Sequence, residues 1–313
     1  MTDFLARAIE LAAATQGRAY PKPDVGAVLV RDGQVVGEGS TEAGGRHGEA
    51  VALETAGSSA RGATLFVTME PCAHHGSTPP CADAIVAAGV TKVVVGSRDP
   101  NPVAAGGVER LREAGVEVEL VDSLAARAQT EAWRTWVTQG RPFVTLKLAV
   151  TLDGRVTVPG ARWVTGEASR RRVHELRARS DAVAVGMGTV RADDPKLDAR
   201  HIAAPRQPRR LAFGRGPLPD GSELELRSGQ VGDELRALAA EGVQSLLLEG
   251  GPTLATAFLL ENLVDKLLLF VAPTVAGEGP RLLGELSAPV PLTRLTAEPI
   301  GEDVLLTAYV HEP

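Results

Sequence analysis

His47-Gly48-Glu49, Pro71-Cys72 and Cys81 form a split cluster in the first third of the chain. One imidazole and two thiols are a ligand set for zinc. Two thiolates and a neutral histidine fill three of its four tetrahedral positions and leave the fourth for water. Glu49, two residues beyond the histidine, is placed to move protons rather than to hold metal. Such a set activates water to displace an amine from a nucleobase, with the glutamate carrying a proton to the departing group. The chemistry expected is hydrolytic release of ammonia.

The local sequence positions these groups. Gly44-Gly45-Arg46 gives way to a helix-forming run from Glu49 to Ala56, which ends at Gly57. Cys81 follows Pro79-Pro80 and opens a second run that ends at Gly89. Both sites therefore lie at helix N-termini, where partial positive charge favours thiolate over thiol. Buried apolar cysteines, a hydrogen-bonded histidine or a Cys72–Cys81 disulfide are the rival readings. These are the chain's only two cysteines, each follows a proline, and both are matched to a His-x-Glu. The first ten residues read as an amphipathic helix rather than a signal peptide. This argues against an oxidising compartment and for a cytoplasmic location. A purely structural zinc would need a fourth protein ligand, for which His74 or His75 is the nearby source.

With 313 residues, 44% of them hydrophobic, the chain can bury two cores. No apolar run approaches the length of a membrane span. A net charge of -6 argues against a general nucleic-acid binder. The charge is uneven: residues 155–215 hold fourteen basic and six acidic side chains, a local balance of +8. Single arginines are usually a solvated face, but the group suggests a phosphorylated small molecule bound in the second half.

The first half reads as alternating strands and helices. A hairpin over 25–31 and 34–39 turns at Asp32-Gly33. After the His47 helix come a strand over 63–68, the Cys81 helix, a strand over 92–96, a helix over 105–114 and a strand over 116–121. One further helix is expected over 123–139, carrying Trp133 and Trp136. The breaker cluster Gln139-Gly140-Arg141-Pro142 sets the boundary, so the expected layout is a domain over 1–122, a connecting helix and linker over 123–141, and a domain over 142–313. The second half opens with an apolar strand over 142–149. It then runs strand 181–185 into Gly186-Met187-Gly188-Thr189, and strand 245–248 into Glu249-Gly250-Gly251-Pro252-Thr253. Glycine turns feeding helix starts suit phosphate, but neither has the dinucleotide fingerprint of an ordinary Rossmann domain. The apolar strand 266–271 would suit an interface between copies.

Longer motifs carry a resemblance that spans nearly the whole chain. They are Pro71-Cys72-Ala73-His74-His75-Gly76-Ser77-Thr78-Pro79-Pro80-Cys81, Asp99-Pro100-Asn101-Pro102, Leu146-Lys147-Leu148-Ala149, Trp163-Val164-Thr165-Gly166, Gly188-Thr189-Val190-Arg191-Ala192-Asp193-Asp194-Pro195 and Glu249-Gly250-Gly251-Pro252-Thr253. This resembles the bifunctional riboflavin-biosynthesis family, a pyrimidine deaminase fused to a pyrimidine reductase; the eight residues between the cysteines are characteristic of it. The resemblance implies an α/β chain: a cytidine-deaminase-like three-layer domain with a mixed sheet, then a dihydrofolate-reductase-like domain. It implies zinc at His47, Cys72 and Cys81, with Glu49 as the proton carrier and His74, Asp99 and Asn101 on the pyrimidine. In the second half it implies NADPH at Ala149, Trp163, Thr189, Asp193 and Gly251, Pro252, Thr253, Leu254, Ala255, Thr256 and Ala257. Substrate is implied at Ala161, Arg177, Leu197, Arg200 and Glu249, and Lys147 near the reacting sugar. Pairing of copies through the reductase domain is also implied. The chain departs from the family pattern at Gly48 (usually Ala, a change of roughly 1 kcal/mol in helix preference), at Lys22 (usually Asn), at Ala161 (usually Ser) and in a shortened segment 206–242, which suggests a missing strand and helix. A chain with only one working activity, and a nucleoside or tRNA base deaminase, remain alternatives.

Overall fold

The computed structural model describes residues 2–74, 79–202, 204 and 206–313. His75, the second source of a fourth zinc ligand, lies outside them, as do Gly76, Ser77 and Thr78 of the long cysteine motif. The chain divides into two compact units, one running to Gln139 and one from Gly140 to Glu312. Among the described residues no helix is long and apolar enough to cross a membrane.

The first unit contains α1 (Thr2–Thr15), β1 (Gly26–Arg31), β2 (Gln34–Ser40), α2 (Gly48–Ala56), β3 (Thr64–Val67), α3 (Cys81–Ala87), β4 (Lys92–Val95), α4 (Gly107–Glu113), β5 (Glu117–Leu120), α5 (Leu124–Gln129) and α6 (Glu131–Gln139). Its sheet runs β2-β1-β3-β4-β5. β1 is antiparallel to both neighbours and β3, β4 and β5 are parallel. Strand alternation sorts the core. Ala27, Leu29, Leu65, Val67, Val93 and Val95 face one layer with α2, α3 and α4, while Val28, Val30, Phe66 and Val94 face α1. Because both faces are covered, these strands read as unbroken apolar runs, as parallel layers do.

Two glycines permit the backbone approaches that seat the site. A Cβ at Gly48 would lie 2.5 Å from the Val25 carbonyl oxygen, and one at Gly107 would lie 1.7 Å from that of Pro71. The alanine usual at position 48 would force the Val25 backbone to move. The single helix expected over 123–139 is two helices, broken at Thr130, which leaves the helical region (φ -116°, ψ 20°). The break lets Ala126 pack where a Cβ on Gly96 would touch it and lets Trp133 reach the core around α2 and α3. Both helices belong to the first unit rather than to a free connector.

The second unit contains β6 (Phe143–Thr151), α7 (Glu167–Arg179), β7 (Ala182–Gly186), α8 (Met187–Asp193), β8 (Arg209–Phe213), β9 (Glu225–Arg227), α9 (Val231–Ala240), β10 (Ser245–Leu248), α10 (Pro252–Leu260), β11 (Lys266–Ala272), β12 (Thr293–Ile300) and β13 (Asp303–Tyr309). The sheet order is β12-β13-β11-β6-β10-β7-β8-β9. Six strands from β11 to β9 are parallel, and β13 and β12 close one edge antiparallel. One sequence expectation changes here. The short segment 206–242 supplies β8, β9 and α9, and the sheet is continuous through them. Strand 266–271 is interior, paired on both sides; the outer strand is β12, most of whose residues are exposed.

One buried ion pair ties this unit together. Arg141 donates to both oxygens of Asp265 at 2.6 and 2.7 Å, and Val144 N and His311 also contact that carboxylate. Burial pushes the Asp265 carboxyl up, but the bonds from Arg141 and His311 more than reverse this and hold it below the ordinary carboxylate value. Breaking such a pair from one side costs about 3–5 kcal/mol, so Arg141→Ala should lower the second unit's stability by that order in a urea titration followed by circular dichroism. A carboxyl whose value is depressed by folding stabilises the fold above its unfolded value and loses that contribution as pH falls through the folded one. The stability gap between wild type and Asp265→Asn should therefore narrow on acidification; a gap that stays constant from neutral pH down to acid would contradict the ion-pair reading.

Candidate active sites

His47 sits at the N-cap of α2 in extended conformation (φ -75°, ψ 151°), Cys81 is the first residue of α3 behind Pro80, and Cys72 follows β3. Residues distant in sequence thus meet where two helices begin. Their ligand atoms all lie within 4.8 Å of one another, with His47 Nδ1 3.2 Å from Cys81 Sγ and 3.6 Å from Cys72 Sγ. These separations match the edges of a tetrahedron with metal–sulfur bonds of about 2.3 Å and metal–nitrogen bonds of about 2.0 Å, so the three side chains fit one zinc ion. Both cysteines are free and buried, which removes the disulfide reading. Cys81 hydrogen-bonds Cys72 through its thiol and its backbone N–H. These bonds, with His47, hold the Cys72 thiol down to about 4 despite its burial, while Cys81 keeps its proton more tightly than a free thiol.

Glu49 is 3% exposed, in the first turn of α2. Burial pushes its carboxyl up to about 7, against the pull of the His47 charge. It lines a cavity of about 240 Å³ with His47, Cys72 and His74. Asp99 and Asn101, from the loop after β4, form part of the wall, as do Lys22, Thr41, Met69 and Trp133. Lys22 Nζ donates to the Gly45 carbonyl at 2.6 Å, tying the wall to the glycine loop that leads to His47. Burial pushes the Asp99 carboxyl up, opposed by the Asn101 N–H.

Sequence reading passed over Glu70. It is 2% exposed; its Oε1 accepts from Gly106 N and Val108 N at 3.1 and 3.0 Å, and its Oε2 from Asp99 N at 3.3 Å. It therefore clamps the Asp99–Asn101 loop to the start of α4. The only signal in the sequence was an acidic residue beside the Pro71-Cys72 motif, in a segment otherwise too apolar to be solvated.

In the second unit a cleft of about 640 Å³ opens where the C-terminal ends of β7 and β10 feed α8 and α10, beside β6. Ligands in open parallel sheets bind at such strand ends. Lys147 on β6, Arg177 on α7 and Glu249 after β10 meet there. Arg177 grips Glu249 with two bonds of 2.6 and 3.0 Å, and Lys147 Nζ lies 3.7 Å from the same carboxylate. Burial and the Arg177 charge push the Lys147 ammonium down in pKa, with Glu249 opposing them; Glu249 in turn is held below its ordinary value by Lys147 and Arg177 although burial pushes it up. One carboxylate between two cations leaves the floor positive, which suits an anion.

Ala149, Trp163, Thr189, Asp193, Gly251, Pro252, Thr253, Leu254 and Arg200 line the same cleft. The volume and the glycine-rich starts of α8 and α10 fit a dinucleotide with its phosphates. Thr256 and Ala257 instead line a neighbouring groove with Arg281. Ala255 and Leu197 are buried in the core, so neither presents its side chain to the cleft, and Ala161 is exposed outside its lining. The basic segment also divides: Arg162, Arg170, Arg177 and Arg200 line the cleft, whereas Arg206, Arg209 and Arg210 pair with Asp181, Glu225 and Glu223. The +8 balance is therefore not a single patch.

The model of the cytidine and deoxycytidylate deaminase zinc-binding region matches residues 2–97, and that of the RibD C-terminal domain matches residues 142–306. The chain is 37% identical to the riboflavin biosynthesis protein RibD of Aquifex aeolicus over 344 aligned positions, covering 97% of each. It is 42% identical to the RibD of Mycobacterium tuberculosis, covering 88% of this chain and 86% of that one. Among solved structures, a diaminohydroxyphosphoribosylaminopyrimidine deaminase/5-amino-6-(5-phosphoribosylamino)uracil reductase from Thermotoga maritima superposes with a TM-score of 0.87 at 36% identity, covering 98% of this chain and 97% of that one.

If His47, Cys72 and Cys81 alone hold the metal, Cys81→Ser should reduce zinc content by atomic absorption from one equivalent towards none and remove ammonia release. Reductase activity on the deaminated substrate should persist, because the cleft draws no residue from the metal set.

Proposed function

Because the chain belongs to the RibD family, bifunctional deaminase–reductases of riboflavin biosynthesis, we propose that its two cavities perform the two successive steps named for the Thermotoga maritima relative. The first unit hydrolyses the amine of diaminohydroxyphosphoribosylaminopyrimidine, and the second reduces the resulting 5-amino-6-(5-phosphoribosylamino)uracil at its ribosyl group. The observation that carries the first assignment is the convergence of three zinc ligands within 4.8 Å beside the buried Glu49. The buried Lys147–Glu249–Arg177 group at the cleft floor supports the second.

Zinc, when held by His47, Cys72 and Cys81, supplies a Lewis acid that makes a water molecule more acidic and a better nucleophile at neutral pH. With such a water as nucleophile, Glu49 would take one proton as the oxygen adds to the ring carbon bearing the amine and pass it to the ring nitrogen. It would then take the proton of the new hydroxyl group and pass it to the amine, which leaves as ammonia as the carbon–nitrogen bond breaks and the carbonyl forms. Asp99 and Asn101 hold the ring, and the Glu70 clamp fixes their loop in advance of binding.

NADPH, when bound along the glycine turns, supplies the hydride to the sugar carbon. Lys147 donates a proton to the sugar ring oxygen as its bond to that carbon opens; its lowered pKa makes it the stronger acid. Glu249 keeps Lys147 charged and orients Arg177, and Arg177 and Arg200 supply positive charge for the substrate phosphate. The cytosol is the proposed location, in keeping with two free ligand thiols. Copies pair through the second unit, by way of β12 and the exposed Leu292, Leu295 and Val304 rather than the interior β11.

A two-stage assay separates the steps. Glu49→Gln should cut ammonia release by about 10²–10⁴-fold while NADPH oxidation on added aminouracil phosphate is retained. Lys147→Ala should do the reverse. Loss of both activities in either variant would contradict two independent sites.

A further inference from the structure

Lys22 stands where the family usually has asparagine, and the two proposed steps leave it without a part. It lines the deaminase cavity, and among the described residues it is the only lysine or arginine there. Apart from two histidines, the other ionisable lining residues are Cys72 and the acids Glu49, Glu70 and Asp99. The Lys22 ammonium commits one of its three donors to the Gly45 carbonyl at 2.6 Å. No carboxylate among the described residues pairs with it. Arg7, Arg46 and Lys92 of the same unit, by contrast, each hold two. A partly buried cation with two donors uncommitted is a place for an anion. Its depth in the cavity says which part of a ligand it meets. Glu49, Glu70, Met69 and Cys72 are buried and form the floor, whereas Lys22 is partly exposed, beside exposed Pro21 and against the Gly44-Gly45 turn. The pyrimidine must reach the floor, because the carbon that loses its amine is attacked beside Glu49 and the metal ligands. A phosphate carried on the sugar is costly to bury and trails outward to the mouth.

We propose that Lys22 is a specificity-determining residue of the deaminase: its uncommitted N–H groups donate to the substrate phosphate, so that the first step selects the phosphorylated pyrimidine over the dephosphorylated one. The inference rests on the deaminase assignment made above. It accounts for a doubly charged anion being accepted by a cavity lined with three carboxylates, a need that the second unit meets with Arg177 and Arg200.

The test is ammonia release by zinc-loaded enzyme on diaminohydroxyphosphoribosylaminopyrimidine and on its dephosphorylated counterpart. Wild type should favour the phosphorylated substrate in kcat/KM, and the preference should shrink as ionic strength rises. Lys22→Asn places the family's usual residue there, so zinc content should be kept. The preference should fall about tenfold, the size of one hydrogen bond to a charged group, through KM rather than kcat. Lys22→Arg keeps the charge and should keep the preference. If Lys22 only holds the Gly45 turn that leads to His47, Lys22→Asn will lose zinc or lose activity equally on both substrates. Either result would overturn the inference, as would a preference that is absent from wild type or unchanged in Lys22→Asn. Absence of ammonia from wild type on both substrates would overturn the underlying assignment instead.

Discussion

Everything in the first unit depends on three side chains, 25 and 9 residues apart in sequence, meeting within 4.8 Å. Two helix N-termini and a loop can converge that closely only if the helices rest almost in contact with the backbone beneath. Gly48 at the start of α2 lies against the Val25 carbonyl, and Gly107 at the start of the neighbouring α4 lies against the carbonyl of Pro71, the residue before Cys72. A methyl group at Gly107 would press on the Pro71 backbone, next to the Cys72 ligand. The metal ligand set is therefore a product of small residues at packing contacts as much as of histidine and cysteine.

The second unit meets a different problem, how to keep charges buried without wasting them. It contains two such groups. Arg141, Asp265 and His311 are closed on one another and serve the fold. Lys147, Glu249 and Arg177 carry an excess positive charge and open onto the cleft. Burial alone does not distinguish them. The net charge of each group and its access to a cavity do.

Much of this was legible in residue order. The central strands β1, β3 and β4 of the first sheet fall within a residue or two of the apolar runs that announce them, since strands covered on both faces need apolar side chains throughout. Helix starts at Gly48 and Cys81 were marked by glycine and proline. Other features were not legible. The break at Thr130 has no glycine or proline; it arises because Ala126 and Trp133 must reach different parts of the core. Strand 266–271 looks like an exposed apolar edge in isolation, and only pairing with β6 and β13 makes it interior.

The sequence by itself determined which atoms are available for chemistry and roughly where they lie along each element, because ligand type, helix caps and apolar period are local properties. Tertiary structure decided which of those atoms share a space. It turned Glu70 from an unremarked acid into the clamp on the Asp99 loop. It brought Trp133 from a connector into the cavity wall, and it sent Leu197 and Ala255 into the core. It also sent Arg162, Arg170, Arg177 and Arg200 of the basic segment to one cleft while Arg206, Arg209 and Arg210 were taken up in ion pairs. The physical reason is that side-chain direction and non-local pairing depend on packing between elements, and no local pattern encodes the partner across the gap.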